Sequence, residues 1–157
     1  MLMKTLGAAI ALSAVVISTA PAVAQDFNAE PNYETVTLST GFTPDPHYIN
    51  LQSGGSIDAQ SISSTCRGFI SDAPDVRLHF EAGRLPLLIS ALSESDTTLV
   101  INAPDGRWYC DDDSGEGLNP SVRFDPAVSG RYEIWVGTYG GRSLEQTRLS
   151  ISEIYSQ

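Results

Sequence analysis

Hydrophobic and polar residues alternate in short runs along most of this chain. In the clearest run, Val76, Leu78 and Phe80 alternate with Arg77 and His79. A period of two residues is typical of β strands that bury one face. After the N-terminal segment, no long stretch repeats apolar side chains at the spacing of an amphipathic helix. Similar alternating runs lie at residues 35–38, 48–52, 56–60, 85–89, 98–102, 132–136 and 148–152.

Residues that favour turns separate these runs. Short alternating runs bounded by Gly, Pro, Asp and Ser are typical of antiparallel sheets rather than of βαβ units. The pattern therefore predicts an all-β fold: an antiparallel, jelly-roll-like or Greek-key β-sandwich with about eight strands. The turn signals lie at residues 44–46, 54–55, 72–74, 104–106, 113–115 and 140–141.

The first 24 residues have the pattern of a signal peptide. Lys4 precedes an apolar stretch from Leu6 to Ala20, and the sequence Ala-Val-Ala then precedes Gln25 as a small-x-small cleavage pattern. The apolar stretch is shorter than the roughly 20 residues of a membrane-spanning helix, although an N-terminal anchor or a core helix is the alternative.

This pattern sets the expected organisation of the chain. We expect a signal peptide at residues 1–24, a flexible lead-in at residues 25–34 and a single β-sandwich domain at residues 35–157. No other segment is apolar enough to insert into a membrane after the signal is removed. The protein is therefore expected to be periplasmic or secreted.

The charge balance narrows the class of partner. The chain has 19 acidic and 9 basic residues, and its single lysine, Lys4, lies in the signal segment. The remainder has eight arginines, so its net charge is 8 − 19 = −11. This charge argues against a nucleic-acid binder, which needs a basic patch, and against attraction to anionic lipid. We expect the partner to be an extracytoplasmic protein or polymer of unknown identity.

Cys66 and Cys110 are the only cysteines, and both lie in the exported part. An even pair in an oxidising compartment predicts a disulfide. The alternatives are a redox pair or a metal site, but the two residues are not in a C-x-x-C motif and no cluster of Cys and His accompanies them. The sequence therefore favours a structural disulfide.

An acidic loop follows the second cysteine. Consecutive carboxylates repel one another, and a divalent cation relieves that repulsion; hard oxygen ligands suit Ca²⁺. The spacing differs from that of an EF-hand loop, and a solvated turn is the alternative interpretation. We expect two acids from neighbouring turns to converge on the same end of the sandwich. The predicted calcium ligands are Asp96, Asp105, Asp111, Asp112, Asp113 and Asn119.

Part of the chain resembles the bacterial pre-peptidase C-terminal domain family. The resemblance rests on Asp96 before a strand, the turn Pro104-Asp105-Gly106, the acidic residues 111–113 with Gly115, and the strand at residues 129–136. It covers about 45 residues, a third of the exported chain, and the two cysteines depart from the family pattern. The resemblance implies a jelly-roll-like β-sandwich without catalysis; some members bind calcium, and some bind matrix or substrate polymers.

The signals for catalysis are weak. Residues 113–115 (Asp-Ser-Gly) are similar to the nucleophile motif of serine peptidases, but the flanking glycines are missing. A nucleophilic serine also needs a histidine base held by a third group. His79 is expected on the outward face of a strand and His47 in a turn, so neither fits that role. We therefore expect this domain not to be an enzyme.

Four aromatic residues are candidates for stacking on a ligand. Trp108, Tyr109, Trp135 and Tyr139 would suit sugars or protein side chains if they share one exposed face. The alternative, which we favour, is that Trp108 or Trp135 packs against the disulfide in the core, as tryptophan often does in sandwiches.

The leading hypothesis is an exported, non-catalytic β-sandwich module that binds an extracytoplasmic protein or polymer. The competing hypotheses are a small hydrolase of an envelope polymer, and a structural or inhibitory partner of a secreted protease. A hydrolase predicts a cleft that holds a buried titratable group with a shifted pKa. A binding module predicts a shallow surface, with the acidic residues gathered at one end.

Overall fold

The computed structural model describes residues 25–157, so the predicted signal peptide lies outside the described residues. Within them, no helix is long and apolar enough to cross a membrane. A single turn of 3₁₀ helix, Ala59–Ser61, accompanies eleven strands. The strands are β1 (Glu34–Ser39), β2 (His47–Ser53), β3 (Ile57–Asp58), β4 (Phe69–Ile70), β5 (Val76–Glu81), β6 (Leu87–Leu92), β7 (Thr97–Asn102), β8 (Trp108–Asp111), β9 (Ser121–Phe124), β10 (Gly130–Thr138) and β11 (Glu145–Ser152).

The strands form two sheets that pack as a sandwich, which confirms the predicted fold class. The seven-stranded sheet has the order β1-β5-β10-β4-β3, and β10 also pairs with β7, which pairs with β8. The four-stranded sheet has the order β2-β11-β6-β9. All pairings are antiparallel except that of β1 with β5, which is parallel.

The main core lies between the two sheets and follows the predicted alternation. In β5, Val76, Leu78 and Phe80 are buried, while His79 is exposed as expected. Phe124 makes edge-to-face contacts with Tyr109 and Tyr132, with ring centroids 5.0 and 5.1 Å apart. The other inward positions are Val36, Ile49, Leu51, Leu87, Ile89, Ala91, Leu99, Ile101, Ala103, Val122, Ile134, Val136, Leu149 and Ile151.

A second, smaller core covers part of the opposite face of the seven-stranded sheet. Trp135 of β10 and Val100 of β7 are fully buried there against Ile70 and Ala59. The cover comes from residues 59–68, the connection between β3 and β4, which folds across this face. The predicted disulfide between Cys66 and Cys110 is present, with Cα atoms 5.1 Å apart, and ties this cover to β8.

Three local expectations were wrong. The run at residues 56–60 gives only a two-residue strand, because the Asp58 carboxylate accepts a hydrogen bond from the Gln60 amide (2.9 Å) and caps the 3₁₀ turn. Leu85 precedes β6 and is 45% exposed, so it does not share the buried face of Leu87. His47 begins β2 rather than lying in a turn.

Residues 25–33, expected as part of a flexible lead-in, lie against the seven-stranded sheet. The Asn32 and Tyr33 amides donate hydrogen bonds to Pro74 O (2.8 Å) and Asp75 O (3.0 Å). A guanidinium N–H of Arg77 donates to Ala29 O (2.8 Å). These contacts extend the cover on the sheet's outer face, while the flexibility of the segment stays a prediction.

Removing the disulfide is expected to destabilise the domain strongly. The bond joins residues 44 positions apart, and closing a loop of that size stabilises a fold by about 4 kcal/mol in the chain-entropy account. We expect the double change Cys66→Ala with Cys110→Ala to lower the free energy of unfolding by about that amount, measured by urea titration. Tryptophan fluorescence, from Trp108 and Trp135 together, should show the outer cover opening.

Free-thiol titration of the unreduced, denatured protein provides the control, and it should find no reactive thiol. A double variant whose stability lies within 1 kcal/mol of the parent would contradict the structural role of the bond.

Candidate functional site

A groove lies on the outer face of the four-stranded sheet. Its floor is a cross-strand row, because Arg148 of β11 pairs with both Asn50 of β2 and Leu92 of β6. Residues 93–95 and 145–147 complete the groove, whose volume is about 750 Å³. We call this depression the outer groove.

Arg148 is the central charged residue of the outer groove. Its guanidinium carbon lies 4.6 Å from the centre of the Tyr48 ring, within the range of a cation–π contact. Nη2 donates to Oε1 of Gln157 at 3.3 Å. Within residues 25–157 Arg148 forms no ion pair, although Glu94 and Glu145 line the same groove. The stack on Tyr48 therefore positions a cation that no carboxylate neutralises by direct contact.

The walls of the groove carry short polar side chains. The Ser95 hydroxyl donates to the Glu145 carboxylate (3.0 Å), and the Ser93 hydroxyl donates to the backbone carbonyl of Gln146 (2.8 Å). Asn50 and the Gln146 side chain add amide groups. This surface is suited to a ligand with many hydrogen-bonding groups.

The outer groove leaves no signal in the sequence of any single strand. Its floor residues, Asn50, Leu92 and Arg148, lie on different strands and are 40 or more positions apart along the chain. None of the three stands out by residue type. The alternation does place Asn50 and Arg148 on outward positions, but only the register of β2, β11 and β6 brings them into one row.

The acidic loop after β8 is organised around Asp111. Its carboxylate accepts hydrogen bonds from the Ser114 amide (3.0 Å), the Ser114 hydroxyl (2.6 Å) and the Ser121 amide (2.8 Å). Asp111 thereby closes the loop and joins it to β9. The Ser114 hydroxyl is held in the same turn, which gives it a structural role in place of the nucleophilic one that its motif suggested.

Asn119 is also committed to the fold. Its side-chain oxygen accepts from the Ser93 amide (3.0 Å) and the Thr97 hydroxyl (3.0 Å). Its side-chain nitrogen donates to the Ser93 and Glu116 carbonyls. With both ends occupied, Asn119 acts as a bridge between β6, β7 and the acidic loop.

Asp96, Asp112 and Asp113 are near one another at the start of β7. Burial, together with the negative charges of Asp113 and Asp112, raises the pKa of Asp96. One Asp96 oxygen is buried and has no hydrogen-bond partner among the described residues. These three carboxylates are the part of the predicted ligand set that the fold brings together.

Asp105 does not join them, so the expected convergence of Asp96 and Asp105 is wrong. Asp96 precedes β7 and Asp105 follows it in the turn to β8, so a six-residue strand of about 20 Å separates them. Asp105 accepts hydrogen bonds from the Arg107 amide (3.0 Å) and the Tyr109 hydroxyl (2.8 Å). The Arg107 amide is the main cause of its lowered pKa.

The predicted ligands therefore divide between separate places in the fold. In the part of the chain that the structure describes, no group of three or more His, Cys, Asp or Glu side chains is arranged to hold a metal ion. As they stand, Asp96, Asp112 and Asp113 do not form a ligand set, and calcium binding stays a prediction.

The four candidate stacking aromatics do not share an exposed face. Trp135 is fully buried in the second core, and Trp108 packs on it with ring centroids 5.4 Å apart. This is the packing beside the disulfide that we favoured as the alternative. Tyr109 is partly buried beside Phe124, and Tyr139 alone is substantially exposed.

Three carboxylates of the described chain are buried away from the outer groove, those of Asp75, Glu133 and Glu153. Burial raises the pKa of Asp75 to about 6. Its oxygens accept hydrogen bonds from the Val136 amide (2.8 Å), the Asn32 side chain (3.1 Å) and the Ser71 hydroxyl (3.2 Å). Asp75 therefore fastens the N-terminal segment to β10.

Glu133 is the second buried carboxylate. One of its oxygens lies 2.6 Å from Arg77 Nε and 3.0 Å from Arg131 Nε. Burial raises the pKa of Glu133, and the hydrogen bond from Arg77 opposes that rise. Like Asp75, Glu133 supports the outer cover of the seven-stranded sheet and lines no part of the outer groove.

Neither protein-family models nor curated proteins give a match to this chain. Among solved structures, it is similar to the pre-peptidase C-terminal domain of collagenase from Bacillus anthracis, with a TM-score of 0.47 and 17% identity over 80% of this chain and 100% of that one. It is also similar to PliG, a periplasmic inhibitor of g-type lysozyme from Aeromonas hydrophila, with a TM-score of 0.36 and 15% identity over 76% and 96%.

The first likeness agrees with the resemblance expected from the sequence motifs. Both likenesses concern the fold alone.

The raised pKa of Asp75 predicts an unusual dependence of stability on pH. A carboxyl that holds its proton more tightly when folded stabilises the fold at low pH, and that contribution is lost as pH rises through the folded pKa. Between the ordinary value of 3.8 and about 6, the free energy of unfolding should therefore fall by at most about 3 kcal/mol through this group.

Urea titrations at pH 4, 5, 6 and 7 would measure this loss. Asp75→Asn should flatten the slope, and Asp72→Asn, a change at an exposed neighbour, should preserve it. If the Asp75→Asn protein keeps the slope of the parent, the assignment to Asp75 is wrong.

Proposed function

We propose that this protein is a non-catalytic, extracytoplasmic binding module that holds a protein or polymer in the outer groove. The observation that carries the proposal is the groove itself, about 750 Å³ in volume and open along the surface of the sheet. Its floor crosses three strands, so it is about 10 Å wide. Such a surface is suited to a segment of an extended ligand.

The chemistry of the groove supports recognition of a polar ligand. Amides from Asn50 and Gln146 and hydroxyls from Ser93 and Ser95 offer both donors and acceptors. The guanidinium of Arg148, held on Tyr48, adds a cation with hydrogen-bond donors in a fixed plane. A few placed polar groups of this kind give a binding site its specificity.

The location of the buried titratable groups favours binding over hydrolysis. Asp75 and Glu133 are both held by hydrogen bonds beneath the outer cover, and Glu153 accepts hydrogen bonds from the connection between β1 and β2, so all three lie away from the groove. A polymer hydrolase built on the groove would have to use Glu94 and Glu145, its two carboxylates among the described residues. Under our proposal the parent protein has no hydrolytic activity. Glu94→Gln and Glu145→Gln should therefore not differ from the parent in a hydrolysis assay.

The disulfide supports an extracytoplasmic location, because such bonds persist in oxidising compartments. Together with the signal pattern of residues 1–24, it is the reason for proposing a periplasmic or secreted protein. The net charge of −11 for the exported chain keeps such a module soluble.

Calcium is proposed as a stabiliser of the acidic loop. Asp96, Asp112 and Asp113 repel one another, and a divalent cation that drew them together would relieve that repulsion. Asp111 and Asn119 are excluded from the proposed ligands because their hydrogen bonds hold the loop in place. Binding would require the loop to close further around the ion.

A change at Arg148 is expected to weaken ligand binding. Two probes suit the proposal: solubilised peptidoglycan fragments, and a protein kept unfolded by reduction and alkylation. At least one should shift the backbone NMR signals of Leu92, Gln146 and Arg148. Arg148→Ala should lower the affinity for that probe tenfold or more, because Arg148 is the one cation among the described residues that line the groove.

Arg142→Ala is the matched control. Arg142 also stacks on an aromatic ring, that of Phe69 at 5.0 Å, but does not line the groove. An equal loss of affinity in both variants, or no shift at groove amides with either probe, would refute the proposed site.

Calcium is expected to raise the melting temperature through Asp112 and Asp113. With a dissociation constant on the order of 10⁻⁴ M, typical of the tighter extracellular modules, calcium at about 10 mM adds roughly 2.7 kcal/mol. That corresponds to a rise of roughly 10 °C for a domain of this size. The melting temperature should be compared in EDTA, calcium and magnesium at fixed ionic strength.

The double change Asp112→Asn with Asp113→Asn should abolish the response to calcium. Asp111→Asn should instead lower the melting temperature with or without calcium, since it disturbs three structural hydrogen bonds. If magnesium acts as strongly as calcium, or the double variant responds like the parent, the acidic loop is a solvated turn.

A further inference from the structure

Strand β2 lies at the edge of the four-stranded sheet. It pairs with β11 on one side and with no strand of the described chain on the other. An edge of this kind presents a row of backbone donors and acceptors that another extended chain can pair with. Pairing with such an edge requires backbone groups that point away from β11 and are not already occupied.

A contact from Tyr33 identifies the outward-pointing groups. Its hydroxyl accepts a hydrogen bond from the Gln52 amide (2.8 Å) and donates to the Gln52 carbonyl (3.3 Å). The backbone of Gln52 therefore points away from β11. In an antiparallel pair this orientation recurs at every second residue, so Asn50 and Tyr48 also point outward.

The outward amides of Tyr48 and Asn50 are available for pairing. Among residues 25–157, neither takes part in a backbone hydrogen bond outside the strand ladders. At Gln52, by contrast, the Tyr33 hydroxyl occupies the donor and the acceptor that an added strand would use. The Tyr33 hydroxyl therefore restricts pairing with an added strand to the part of β2 that precedes Gln52.

Strand β2 lacks the features that usually protect an edge. Its seven residues, HYINLQS, include no proline and no Lys, Arg, Asp or Glu. Natural edge strands are commonly protected by such residues. The side chain of Tyr48 is 45% exposed on the outer face, where the next strand of the sheet would lie beside it.

We propose that β2 is a docking strand, to which an extended, basic segment of a partner protein adds as a fifth strand beside Tyr48 and Asn50. This inference rests on the proposed function and specifies the class of partner. A polypeptide fits because its amide donors and carbonyl acceptors alternate at the spacing of the edge, whereas a glycan has no such repeat. Basic side chains are attracted by the excess of acids in the exported chain, 19 against eight arginines, although the Arg148 guanidinium stacked on Tyr48 opposes them locally.

The probe is a synthetic peptide that alternates threonine, a good strand former, with lysine. Added to the folded protein, it should slow hydrogen exchange of the Tyr48 and Asn50 amides tenfold or more. A peptide of the same sequence with a methyl group on every backbone nitrogen has no amide donor on either edge, so it cannot form the ladder and should leave exchange unchanged. A threonine–glutamate peptide tests the contribution of charge and should bind more weakly.

Two variants examine the edge from the side of the protein. Asn50→Pro removes an amide that points away from β11, so the sheet should stay intact while protection by the peptide is lost. Tyr33→Phe frees the Gln52 backbone, so protection should extend to Gln52. If Asn50→Pro unfolds the protein, Tyr33→Phe and the N-methylated peptide still decide the matter.

The outcomes separate this inference from the proposed function. If the peptide shifts signals of Leu92 and Gln146 but leaves the Tyr48 and Asn50 amides unprotected, the module binds through its groove and strand addition is wrong. Equal binding of the N-methylated peptide also overturns strand addition. If no probe, peptide or polymer, binds at all, both proposals fail.

Discussion

The structure depends on the burial of strand β10 on both of its faces. Tyr132, Ile134 and Val136 enter the main core between the sheets, while Glu133 and Trp135 are buried on the opposite side. A two-layer sandwich leaves that second side in water. Residues 59–68 and 25–33 cover it, and the disulfide, the Glu133 ion pairs and Asp75 hold these segments in place.

This arrangement determines where the protein can meet a partner. Much of the seven-stranded sheet carries structural cover on its outer face, and many of its polar groups are engaged in holding that cover. The four-stranded sheet keeps its outer face open at the row of Leu92, Arg148 and Asn50. Scaffold and binding surface are therefore divided between the two sheets.

Sequence pattern predicted the sandwich because a strand's alternation depends on its own residues. It could not predict the site, because that depends on pairing between distant segments. By residue type, Asp111 and Asn119 are as good calcium ligands as Asp112, and only their hydrogen bonds identify them as loop supports. Trp135 occupies an outward position by alternation, yet residues from 57 to 70 bury it. For these residues, contacts with distant parts of the folded chain determine the role, and residue type or alternation alone does not.

The pairing of β2 with β11 also has a kinetic consequence. Ser53 pairs with Glu145, 145 − 53 = 92 positions later, and His47 pairs with Ile151, 151 − 47 = 104 positions later. Closing loops of this length is slow, so folding rates fall as such contacts dominate. In a chain that emerges from its N-terminus, nearly the whole domain must appear before β2 can pair with β11, its one partner strand among the described residues. During that interval both of its edges are open to chaperones and to other unfolded chains.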